Sequence, residues 1–77
     1  MIKIKLFDTH GALLCAANTS CFDPSGRTLA AVKQYLAGDY CAWLMRGACY
    51  PAREAASFRA RVSSAESFTF ETVGAQQ

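Results

Sequence analysis

Four cysteines and a single histidine are the side chains of this sequence best suited to covalent or metal chemistry: Cys15, Cys21, Cys41, Cys49 and His10. A thiol nucleophile needs a base within hydrogen-bond reach and a neighbour that lowers its pKa. His10 falls in the turn-forming run Asp8-Thr9-His10-Gly11, and no third group is placed to orient it. Structural zinc sites usually contain a Cys-x2-Cys clip, whereas the intervals here hold five, nineteen and seven residues. No metal, no cofactor and no catalytic residue is therefore expected. The thiols read as small hydrophobes within strands. Residues 1–8 interleave charge with apolar side chains and form no signal-peptide core, so the expected setting is cytoplasmic and the thiols reduced.

The carboxylates Asp8, Asp23, Asp39, Glu54, Glu66 and Glu71 are scattered, mostly in turn-like segments, and no spacing pairs two of them for acid–base work. All five glycines are isolated, which excludes a glycine-rich phosphate loop. The basic residues are better organised. Eight Lys and Arg stand against six Asp and Glu, a net charge of +2. The excess lies in residues 1–38, while residues 39–77 are neutral. Such a balance is modest for a dedicated duplex-DNA binder, so any electrostatic role depends on where the charges sit.

The elements that place them follow from hydropathy. Ile2, Ile4 and Leu6 alternate with Lys3, Lys5 and Phe7, the period of a strand with one buried face. The turn at 8–11 leads into a second strand over 12–20, giving an antiparallel hairpin. Asp23 or Ser25 can cap a helix over 27–37, whose Leu29, Val32 and Leu36 share one face and which Gly38 should stop. The aromatic, β-compatible run 40–46 reads as a third strand. Two readings fit 51–62: a helix begun at Pro51, or a loop followed by a strand at 58–62 that pairs with 68–71. The final hairpin is preferred. Residues 75–77 are expected to be a frayed tail.

The expected fold is thus one α+β domain over 1–77, β-β-α-β-β-β, with a single antiparallel sheet and one helix on one face. Only 22 of the 40 apolar residues are larger than Ala or Cys, enough for one thin core. The opposite sheet face would be open to solvent and carry Lys3, Lys5, Arg59 and Arg61. If Trp43 and Met45 pack under the helix, Tyr40, Leu44 and Arg46 turn outward beside them. Lys3, Lys5, Tyr40, Arg46, Arg59 and Arg61 are accordingly the candidate partner-binding residues. Such a face suits an acidic protein patch or nucleic-acid phosphates.

In its size, the strand at 1–7, the helix at 27–37, the strand at 40–46 and the basic sheet face, the chain resembles the small phage-encoded anti-CRISPR proteins that block type I surveillance complexes. That resemblance implies a phage protein without enzymatic activity, acting in the host bacterial cytoplasm. It would inhibit by occupying a subunit of a CRISPR–Cas effector where nucleic acid binds or the complex assembles. A small nucleic-acid-binding or regulatory module, making weak nucleic-acid contact through the same face, is the alternative. Neither reading involves a membrane or a small-molecule substrate.

Overall fold

Alternation along residues 2–7 does produce a strand, and the strand is the centre of the sheet. The computed structural model describes residues 1–73; the tail expected at 75–77 lies outside them. Strands β1 (Ile2–Phe7), β2 (Leu13–Thr19) and β3 (Ser67–Thr72) form an antiparallel sheet in the order β2-β1-β3. The β1–β2 turn is closed by the Asp8 side chain, which accepts the His10 and Ala12 backbone N–H groups at 2.8 and 2.9 Å. Gly11 supplies the positive φ of 81° that this turn needs. Ile4 and Leu6 are fully buried and pair with Ala17 and Cys15 of β2 and with Phe70 and Phe68 of β3.

The helical layer differs from the expected single helix. Thr28, rather than Asp23 or Ser25, caps α1 (Leu29–Tyr35), its hydroxyl accepting the Ala31 N–H at 3.1 Å. The chain does not stop at Gly38. A π-helical segment (Leu36–Tyr40) carries it into α2 (Cys41–Arg46), with helical dihedrals kept at Tyr35, Tyr40 and Cys41. The run 40–46 is therefore helix and not a third strand. Tyr40, Cys41 and Trp43 have β-compatible side chains, but their neighbours Ala42, Leu44, Met45 and Arg46 are good helix formers, and packing on the sheet decides.

The second helical run, α3 (Ala52–Ser63), replaces the preferred loop and strand over 51–62. Ala55, Phe58 and Val62 are its buried residues, at i, i+3 and i+7, so the Phe58–Val62 alternation that mimics a strand is two positions of a helical stripe. Only the 68–71 part of the expected hairpin is strand, and it pairs with β1. The result is an α+β domain with three strands, not five, and two helical runs on one sheet face. The core joins Ile4, Leu6 and Ala17 of the sheet to Val32, Leu36, Cys41, Phe58 and Val62. Among the described residues, no helix is long and apolar enough to cross a membrane.

Candidate interaction surfaces

The six residues expected to share a basic face are dispersed. Lys3 and Lys5 do lie on the helix-free sheet face, because Ile2, Ile4 and Leu6 take the opposite phase. Their cross-strand neighbours are Asn18 and Glu71 for Lys3, and Ala16 and Thr69 for Lys5. Glu71 thus offsets one of the two positive charges. Arg59 and Arg61 are on α3, on the far side of the sheet. Arg61 donates to Ser57 Oγ at 2.9 Å and lies close enough to Cys15 to favour its thiolate. Arg46 is exposed at the end of α2, where a cation suits the helix dipole. Tyr40 lies within the helical layer, and Leu44, expected outside, is buried at 8% exposure while Trp43, expected beneath the helix, is 54% exposed. Strand phase and helix phase assign these two residues oppositely, and the helix is what forms.

Arg59 has a local duty. The Cys41 N–H, which a regular α-helix would direct to Ala37, bonds the Gly38 carbonyl instead. The Ala37 carbonyl receives Arg59 Nε–H at 2.9 Å. Lys33 does the same for α3, donating from Nζ to the Ser63 and Ala65 carbonyls at 2.9 and 3.0 Å. Orphaned carbonyls at helix irregularities need such donors. These contacts tie α3 to α1 and to the π segment.

The π segment also determines what faces out. In an uninterrupted helix, Val32 and Leu36 would be followed inward by Tyr40 and Trp43. One extra residue in the turn shifts the buried stripe to Val32, Leu36, Cys41 and Leu44. Tyr35, Tyr40 and Trp43 each precede a buried residue by one, and so line up together along its edge. Phe22 stacks on Tyr35 with ring centroids 4.3 Å apart and planes 7° from parallel. Tyr40 follows at 6.2 Å from Tyr35, and Trp43 at 5.9 Å from Tyr40. At the Phe22 end, the Arg27 guanidinium lies 5.5 Å over the ring. At the other end the indole runs along the next turn of backbone, where a Cβ on Gly47 would come within 2.9 Å of Trp43 Nε1.

Between this row and the end of β2 lies a cleft of about 360 Å³. Tyr35, Asp39, Tyr40 and Trp43 form its helical wall; Met1 and the segment 18–21 form the other. Tyr35 and the buried Thr19 share a hydroxyl–hydroxyl hydrogen bond at 2.6 Å, and Thr19 Oγ1 also accepts the Cys21 N–H at 3.2 Å. Burial pushes the Tyr40 phenol up, against a smaller opposing pull from the Asn18 backbone. It remains neutral at physiological pH, leaving Asp39 as the cleft's only carboxylate.

All four cysteines are free. Cys15, in β2, and Cys41, buried at the start of α2, behave as the hydrophobes expected of them, and burial pushes both thiols up. Cys21 and Cys49 are exposed in loops, which corrects the expectation for that pair. Among the described residues, no three His, Cys, Asp or Glu side chains come together as a metal site. The sequence reading missed Trp43 and Tyr35. Their signal was the five-then-three spacing 35, 40, 43 shadowing 36, 41, 44. No protein-family model, curated protein or solved structure matches this chain.

Proposed function

We propose that this chain is a non-enzymatic binding protein that acts by covering a surface of a larger assembly, with the aromatic cleft at the centre of its contact. The observation that carries this reading is Trp43, half exposed beside Tyr35 and Tyr40 and walling a cleft. Tryptophan and tyrosine beside a pocket are the residues that anchor protein interfaces most strongly. The resemblance to phage-encoded anti-CRISPR proteins, which keeps its size, its strand at 1–7 and its helix within 27–37 but loses the strand at 40–46 and the shared basic face, suggests the assembly: a bacterial type I CRISPR–Cas effector, inhibited where it binds nucleic acid or assembles. Arg46, exposed at the end of α2, extends the contact with a cation at the end of the same helix.

Affinity for a purified type I effector, and its nuclease activity, should be measured with the parent protein and with Trp43→Ala. The substitution should weaken binding by roughly 30-fold, the effect of an anchor contributing about 2 kcal/mol, while leaving the thermal melt nearly unchanged. A folded Trp43→Ala protein that inhibits fully would overturn the cleft as the contact. An effector that the parent does not bind would overturn the target. The placement of Lys3 and Lys5 together on an uncovered sheet face supports the alternative, a nucleic-acid contact. That contact would weaken steeply with salt and would not respond to Trp43→Ala.

A further inference from the structure

We propose that the aromatic cleft receives the guanidinium of an arginine side chain presented by the partner, an inference that rests on the binding function proposed above. Two features of the cleft favour a cation. Its helical wall presents the rings of Tyr35, Tyr40 and Trp43, and it contains one carboxylate, Asp39, with no Lys or Arg side chain lining it. Aromatic faces attract cations through their quadrupole, and tryptophan does so best. A volume of about 360 Å³ leaves ample room for one long side chain.

The choice of arginine comes from the remaining groups. Ser20 lines the wall opposite the rings, Asn18 reaches it through its backbone while its side chain shares the Lys3 face, and the Thr19 hydroxyl is held by Tyr35 and the Cys21 N–H. A planar guanidinium can lie against a ring while its fork of N–H donors reaches a carboxylate and neighbouring acceptors. A quaternary ammonium has no donor for the Asp39 carboxylate or the Ser20 hydroxyl; a lysine offers a point charge with no planar face. The molecule already uses this contact once. Arg27 covers Phe22 at one end of the aromatic row, while among the described residues no cation lies over the Trp43 end.

Trp43 is the only tryptophan, so its fluorescence reports on the cleft directly. The probe is N-acetyl-arginine methylamide, titrated beside its citrulline, lysine and tetramethylammonium counterparts. A saturable change is expected with the arginine compound. Citrulline, the same shape without the charge, should bind at least about tenfold more weakly. Asp39→Asn, at an exposed position, should weaken the arginine compound about three- to fivefold. Equal responses to arginine and citrulline, tighter binding of tetramethylammonium or lysine, an unaffected Asp39→Asn protein, or no saturation with any probe would each overturn the proposal. These outcomes leave the effector-binding test of Trp43→Ala untouched. A chain that binds its effector through Trp43 but ignores arginine would refute the arginine site alone.

Discussion

Cys15 and Cys41 are held against the core while Cys21 and Cys49 face solvent, so one reagent should separate them. At neutral pH an alkylating agent should modify Cys21 and Cys49 first within the native protein, the half-buried Cys15 more slowly, and Cys41 only on unfolding, as mass spectrometry would show. Uniform labelling of all four would contradict the burial. The same two thiols make stability depend on alkaline pH. Burial raises both above their ordinary value of 9.0, so the unfolded chain releases these protons first. The stabilisation is fully present below pH 9.0 and is lost as pH rises through the raised values. At this scale the sequence was legible where a residue's role follows from strand alternation. Lys3 and Lys5 were placed by the period of their own strand. Trp43 and Leu44 were exchanged because their exposure depends on a helical phase that no short window reveals.

Helix α1, the π segment and α2 behave as one element, although Gly38 reads in the sequence as a stop. A glycine ends a helix when it takes a left-handed conformation, and Gly38 does not: among the described residues the positive-φ glycines are Gly11 and Gly26. A Cβ at Gly38 would meet nothing within 4 Å. Gly38→Ala should therefore stabilise the protein by up to about 1 kcal/mol, the difference in helix propensity, and raise the melting temperature by roughly 4–8 °C. A lowered melt would mean that the segment needs glycine for a reason other than helix formation. Element type was legible for the first two strands and for α1, where hydrophobic period and turn chemistry agree, although the cap is Thr28 and not Asp23 or Ser25. It failed at 40–46, where the extra residue of the π segment breaks the 3.6 period, and at 58–62, where a short alternation fits either element.

For the whole molecule, two helical runs cover one sheet face and leave the other to solvent, so charge on the open face is set by cross-strand register. Lys3 stands between Asn18 and Glu71, Lys5 between Ala16 and Thr69. Lys5→Glu should change stability by less than about 0.5 kcal/mol. Lys3→Glu should cost up to about 1 kcal/mol, since it sets two carboxylates directly opposite each other. Added salt should shrink the gap between the two variants' thermal melts. Equal melts at low salt would mean that the β1–β3 register is wrong. The architecture of a helix-covered antiparallel sheet could be read in advance; its strand count and its working surface could not, because both depend on how distant segments choose partners. The π segment sets which large side chains reach the core. In an unbroken helical frame this same stretch would turn Tyr40 and Trp43 into core residues and send Cys41 and Leu44 to the surface. Large aromatic area would be gained by the interior and lost to recognition. The single residue accommodated between Leu36 and Tyr40 is thus a partition, dividing a scarce supply of large apolar side chains between self-stability and contact with others. A one-residue deletion there would move both quantities at once, in opposite directions.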